Sequence, residues 1–301
     1  MKLDNFINEL SNQKIEYVLA EPMSRHTTFK IGGNADVLVK VKSVDELKNV
    51  LAFAKEYDLP YFVLGKGSNL LVSDKGIEGV VISLEYLNDI KIDGNTVTCG
   101  AGAGLMTLCT TVQKASLSGL EFAFGIPGTV GGALYMNAGA YGGEMSQAVV
   151  GATALDADGN IKKFDLDSMC LGYRTSVFKN TNLIILSAEF SLKNGDKQQI
   201  KAKMDDFFGR RRDKQPLEYP SAGSTFKRPE GYFAGALIEQ NNLKGVSCGG
   251  AQVSEKHAGF VINTGNATAA DVKNLIKHIQ KTIMDSDGVE LEPEVIFVGR
   301  E

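Results

Sequence analysis

The glycines of this chain gather where a backbone would have to come close to something. GKGSN at 65–69, GIPGTVGG at 125–132 and NAGAYGG at 137–143 each line up main-chain N–H groups with no Cβ in the way. Such runs suit a diphosphate held by backbone donors. They suit tight turns between short strands equally well, and counting glycines does not separate the two. Gly65-x-Gly67 is followed by Ser68, Asn69 and a strand, so the Rossmann pattern is absent, and no GK[ST] marks a P-loop. Basic side chains cluster at Arg210, Arg211, Arg212 and Lys214, and again at Lys227 and Arg228. These fit a small polyanionic ligand, or else the solvated end of a helix. Glu290, Glu292 and Glu294 alternate ahead of a short apolar run, and alternation puts Glu292 and Glu294 on the same side of an extended chain.

Composition removes several classes of function. Of 301 residues, 43% are apolar and 23% charged, and the net charge of -4 argues against a nucleic acid or an anionic membrane as the main partner. The four cysteines (Cys99, Cys109, Cys170, Cys248) show no CxxC spacing, and His26, His257 and His278 do not group with them, so free thiols and no metal are expected. MKLDNFINELSNQ reads as a short amphipathic helix, not as a signal peptide. No apolar run approaches the ~20 residues that span a bilayer. The expectation is a cytoplasmic globular protein of two or three lobes.

The elements that must carry these residues alternate in period. Ser43 and Glu46 form a capping-box signal before Leu47, Val50, Leu51 and Ala54 at helical spacing. Strands are expected at Tyr61 to Leu64, Gly79 to Leu84 and Thr96 to Gly104, then a helix over 105–118 ended by Gly119. Asp158-Gly159 between two apolar runs predicts a hairpin, and Leu183 to Leu192 a long strand. A charged helix from about Gln198 to Arg212 leads to a second, α/β lobe. Its clearest helix starts near Thr268, with Asp271 three residues on and an apolar stripe of Val272, Leu275, Ile276, Ile279 and Ile283. His278, at the margin of that stripe, reads as structural. A short strand, Val295 to Val298, follows.

The order of these pieces resembles the FAD-binding fold of the vanillyl-alcohol-oxidase (PCMH) type. More specifically, HTTFKIGG (26–33), LGKGSNLL (64–71), GIPGTVGGALYMNAGAYG (125–142), GYRTSVF (172–178), PSAGSTFKRP (220–229), GGAQVSEKHAGFVIN (249–263) and LEPEVIFVG (291–299) are similar to the UDP-N-acetylenolpyruvoylglucosamine reductases. The resemblance implies an α+β chain: an FAD-binding region over 1–197, in subdomains of about 1–80 and 81–197, then a C-terminal α/β substrate-binding domain over 198–290. Residues 291–301 would form a terminal strand bearing Glu294 and returning to the active site. It also implies reduction of UDP-N-acetylglucosamine enolpyruvate in peptidoglycan precursor synthesis, with NADPH as hydride donor and FAD as carrier.

The site residues follow from the same resemblance. Arg174 matches the catalytic arginine, Ser224 the proton donor and Glu294 the acidic partner, with Glu292 as the alternative. FAD would be held by Gly65, Lys66, Gly67, Ser68, Asn69, Leu70, Gly125, Ile126, Pro127, Gly128, Thr129, Gly132, Ala133, Asn137 and Ala138. No histidine lies between His26 and His257, so the glycine loops carry no histidyl anchor and FAD is expected to be non-covalent. Tyr173, Arg211, Lys214, Arg228, Lys256 and His257 are the candidates for substrate, each also readable as a surface or packed residue. The insert that a longer class carries after its catalytic arginine is missing here. Oligomeric state is left open.

Overall fold

Helix Val44–Glu56 starts where its cap directs: Ser43 is extended and its hydroxyl accepts from Glu46 N at 3.1 Å. The expected reciprocal half of the box is shifted by one residue, because the Glu46 carboxylate reaches back past the cap to Lys42 N at 2.7 Å. Helix Ala269–Asp287 carries the complete box between Thr268 and Asp271, buries Val272, Leu275, Ile276, Ile279 and Ile283, and stops at left-handed Gly288. The Asp158-Gly159 hairpin forms with Leu155 opposite Ile161. The Asp156 carboxylate ties this turn, accepting from Asn160 N and Asp158 N, and those N–H groups with Lys162 hold its pKa down to about 2.

One helix is shorter than its pattern. Leu105–Lys114 ends before Ser116, whose φ of 59° breaks the helix, and Leu117–Ser118 then pairs as a strand with Lys193–Asn194. Burying Leu117 in that pairing takes precedence over continuing the helix.

The fold is that of a computed structural model describing residues 2–301. Its residues divide into two compact units. Unit 1 comprises residues up to Val18, Val37–Lys66 and Gly79–Arg211. Its centre is an antiparallel sheet in the order Ile161–Asp165, Val149–Leu155, Ile184–Ser191, Thr96–Gly100, Ile90–Asp93. Tyr61–Leu64 runs parallel to Val80–Ser83 in the same unit. Phe6, Leu10, Val50, Val97, Leu108, Val130 and Phe190 are among the buried residues of its core.

Unit 2 comprises Leu19–Asp36, Gly67–Glu78 and Arg212–Glu301. It holds a three-stranded antiparallel sheet (Ser247–Cys248, Ala251–Val253, Val261–Asn263) and the helices Ala234–Gln240 and Ala269–Asp287. A parallel pair sets Leu70–Val72 beside Ile296–Val298. Its own core joins Phe29, Ile31, Leu71, Phe226, Ile238, Val272 and Val295. Two further contacts bind its stretches: the Asp74 carboxylate accepts from Ala269 N and Ala270 N at the start of the long helix, and Arg300 grips Asp36 through two bonds of 2.8 and 2.7 Å. Among the described residues no helix is long and apolar enough to cross a membrane, and no His, Cys, Asp and Glu cluster could hold a metal.

Candidate active site

In unit 1 the glycine loops converge on the starts of two helices. Leu105 N donates to Gly128 O, and Val130 N and Gly131 N donate to Ala103 O and Ala101 O, so residues 101–105 and 128–131 lie side by side. Helix Leu105–Lys114 begins at Gly104, which has no side chain to cap it, and helix Val130–Tyr135 begins at Thr129, whose hydroxyl accepts from Gly132 N. Gly65 closes on this place: a Cβ there would lie 2.8 Å from Thr129 Oγ1. The Lys66 amine approaches from the same loop, 3.9 Å from where a Gly104 Cβ would stand. Among the described residues none accepts from the N–H groups of Gly65, Lys66, Gly125 or Thr129. Uncommitted N–H donors, two helix starts and an ammonium group make a cradle that could hold a phosphate-bearing ligand.

Not every residue expected at the cofactor presents itself this way. Ile126, Gly128 and Ala138 direct their N–H groups to Ala123, Ile126 and Ala133, and Pro127 has none to give. Ala133 N completes the first turn of its helix on Thr129 O. Asn137 is wholly buried at a φ of 41°. Its amide donates to Gly172 O at 3.0 Å and its oxygen accepts from Ser146 N at 3.0 Å.

Arg174 sits at the tip of a tight turn in unit 1. Gly172 and Thr175 exchange N–H···O bonds of 3.1 and 3.3 Å, leaving Tyr173 and Arg174 between them, with Arg174 at a φ of 56°. A left-handed arginine is held there by its surroundings, not by preference. Its guanidinium lies 5.0 Å from the centre of the Tyr173 ring. Arg211 also belongs to unit 1, buried beside the Gly125 loop and 6.0 Å over Tyr141, whose ring stacks on Phe207. Burial pulls the Arg211 pKa down from its ordinary value, with Tyr141 opposing.

In unit 2, Ser224 and Glu294 are brought onto adjoining extended segments that meet at an isolated bridge. Glu294 N donates to Thr225 O at 2.8 Å, Lys227 N donates to Glu292 O at 2.9 Å, and Phe226 bridges Pro293. Thr225 is buried, its hydroxyl accepting from Val261 N, while Ser224 is exposed after the left-handed Gly223. Asn69 grips the second segment, donating through Nδ2 to Glu294 O at 3.0 Å and accepting from Ile296 N at its backbone carbonyl at 2.9 Å. Leu70 follows in register with Ile296. The two acidic candidates separate here. The Glu292 carboxylate is exposed and ion-paired with Lys227, whereas Glu294 is partly buried with its backbone fixed on both sides.

HTTFKIGG, a motif with no assigned role from its residue types, proves to support the Ser224 turn. Thr28 Oγ1 donates to Ser221 O at 2.7 Å and Asn263 donates to Phe29 O at 3.1 Å. Gly67 fits against His26 O, where a Cβ would come within 2.1 Å.

The remaining candidates differ in character. Lys214 is exposed at the end of helix Lys197–Lys214. Lys256 donates to Arg212 O at 2.8 Å, neutralising that helix end. His257 accepts from Gly259 N at its Nδ1, and burial lowers its pKa, so it carries Nε2–H and no charge. Arg228 lies 4.0 Å over the exposed Phe233 ring.

Comparison with known proteins bears on both units. Residues 35–165 match an FAD binding domain, and residues 215–298 match the C-terminal domain of UDP-N-acetylenolpyruvoylglucosamine reductase. The UDP-N-acetylenolpyruvoylglucosamine reductase of Clostridium perfringens (strain SM101) is 48% identical over 301 residues, covering 100% of this chain and 99% of its own. That of Caldanaerobacter subterraneus subsp. tengcongensis is 52% identical over 281 residues, 93% of each chain. The crystal structure of UDP-N-acetylenolpyruvylglucosamine reductase (MurB) from Thermus caldophilus superposes with a TM-score of 0.80 at 35% identity, covering 94% of this chain and 98% of that one. A berberine bridge enzyme variant superposes with a TM-score of 0.50 at 17% identity over 64% of this chain and 44% of its own, a likeness of fold alone.

Proposed function

The chain belongs to the family of UDP-N-acetylenolpyruvoylglucosamine reductases, and from that premise we propose that it reduces UDP-N-acetylglucosamine enolpyruvate to UDP-N-acetylmuramate with NADPH. It is an FAD-dependent oxidoreductase. The reaction serves peptidoglycan precursor synthesis in the cytoplasm. FAD, held by the residues of the cradle, would supply the hydride chemistry between NADPH and the enolpyruvyl double bond.

The residues of the chain then handle charge and proton. Hydride at one alkene carbon leaves an electron pair on its neighbour, shared with the attached carboxylate. Arg174 meets that charge with a permanent planar cation. Ser224 gives the proton that completes the new C–H bond, and Glu294 serves the enol as electrostatic or hydrogen-bonding partner. Lys66 and the N–H groups of Gly65, Gly125 and Thr129 hold the diphosphate of FAD. The observation carrying this reading is the bond from Glu294 N to Thr225 O, which sets Ser224 and Glu294 on neighbouring segments although the sequence holds them far apart.

Non-covalent FAD is supported by the chemistry around the cradle. Unit 1 contains no histidine, and burial raises the thiols of both Cys99 and Cys109 to about 12, which keeps them from acting as thiolates.

Stopped-flow records of the two half-reactions test the assignment. Ser224→Ala should leave flavin reduction by NADPH within about twofold and slow reoxidation by the enolpyruvyl substrate by roughly 10²–10⁴-fold. Equal loss in both halves refutes the proton-donor role. Glu294→Gln should impair reoxidation more than Glu292→Gln, and the reverse order reassigns the acid. Protein that stays colourless after FAD is added would sink the whole reading.

A further inference from the structure

Asn137 lies in a glycine run, at a left-handed φ that glycine would satisfy at less cost. What asparagine adds there is an amide, and both ends of that amide are engaged within the protein. Nδ2 donates to Gly172 O and Oδ1 accepts from Ser146 N. Gly172 is the first residue of the turn that holds Arg174 in its left-handed conformation. The same segment is tied twice more: Ser176 Oγ donates to Tyr135 O at 2.8 Å, and Lys179 Nζ donates to Arg174 O at 3.4 Å. Tyr135 ends the short helix Val130–Tyr135, and Thr129, at the opposite end of that helix, lines the cradle.

We propose that Asn137 is a positioning residue for Arg174: its buried amide fixes the 172–175 turn to the end of helix Val130–Tyr135, so that cradle and arginine move as one body. This rests on the reading of Arg174 as the charge stabiliser. A glycine motif that looks like cofactor contact is, at this residue, the support of the catalytic turn. A buried amide with two good bonds is costly to leave half-satisfied, which is why the turn does not relax.

The test uses holoenzyme carrying Asn137→Gly, Asn137→Asp or Arg174→Ala. Asn137→Gly keeps the backbone conformation and loses both amide bonds. FAD affinity of the apoprotein, read from quenching of flavin fluorescence, should stay within about twofold, as should flavin reduction by NADPH. Reoxidation by substrate should fall on the order of 10²-fold, the scale of a misplaced catalytic group. Asn137→Asp keeps the acceptor for Ser146 N and regains a donor toward Gly172 O only when protonated. Its reoxidation rate should therefore be low at pH 8 and climb as pH falls more steeply than that of the parent enzyme, a difference a merely structural asparagine would not produce. Should Asn137→Gly fail to fold, that pH profile carries the test within a single protein. FAD affinity and both half-reactions falling together would make Asn137 a cofactor ligand and overturn the proposal. Unchanged reoxidation in the Asn137 variants, with Arg174→Ala inactive, overturns this inference alone. Unchanged reoxidation in Arg174→Ala removes the reading beneath it as well.

Discussion

Gly65→Ala places a methyl group 2.8 Å from Thr129 Oγ1, closer than a carbon and an oxygen can rest. Gly65 is not among the residues of positive φ, so the backbone accepts alanine and the cost falls on that contact. Relief requires Thr129 to rotate, which withdraws its hydroxyl from Gly132 N and uncaps helix Val130–Tyr135. Loss of a threonine cap costs about 1 kcal/mol. In a chain of this length that is about 2 °C in Tm. The apoprotein should melt about 2 °C lower by scanning calorimetry, and FAD should bind about fivefold more weakly if a similar energy is lost in the cradle. The Thr129→Ala background sharpens the test, because it removes the hydroxyl that clashes. There Gly65→Ala should cost almost nothing in melting temperature, a coupling of about 1 kcal/mol. An equal drop in both backgrounds would refute the contact as the cause.

Other perturbations read other parts of the molecule. Asp74→Ala strips the carboxylate from Ala269 N and Ala270 N, and should cost about 1–2 kcal/mol in urea denaturation. Arg300→Ala breaks the two-pronged contact with Asp36 and should cost about 1 kcal/mol by the same measurement. His257 has a folded pKa below its ordinary value, so the neutral form is the one the fold favours. Its contribution is complete above about pH 6.5 and is lost as pH falls below it. Comparing denaturation at pH 7.5 and 5.5, His257→Gln should show a shallower decline than the parent, and parallel slopes would contradict this.

What was legible in the sequence was local. Thr268, Asp271, the apolar stripe and Gly288 specify helix Ala269–Asp287 within its own residues, and Asp158-Gly159 specifies its hairpin. The glycine runs pointed to the cradle because an absent Cβ has the same meaning wherever it occurs. Helix Leu105–Lys114 was overrun because the gain from pairing Leu117 with Asn194 depends on a partner far along the chain. Lys256 showed its charge but not that its amine serves Arg212 O, and Glu292 did not show its pairing with Lys227. Asn69 and Asn137 look alike in sequence, small polar residues among glycines, yet their amides reach Glu294 and Gly172. Nothing local distinguishes a ligand-facing amide from one that holds a distant carbonyl.

The pairing of Leu70–Val72 with Ile296–Val298 also has a kinetic side. Residues 79–211, most of unit 1, lie between these strands in the chain. Closing a loop of that length in an unfolded chain carries a large entropic barrier, and contacts so distant in sequence form slowly. Once residues 79–211 have condensed, the ends to be joined are tethered by a folded body and not by a coil. Unit 1 should therefore mature first, with Glu294 reaching its neighbours last. Refolding should show secondary structure returning before activity. The chain has no tryptophan, so Phe297→Trp, on an exposed face of the closing strand, would report that late step against a dark background.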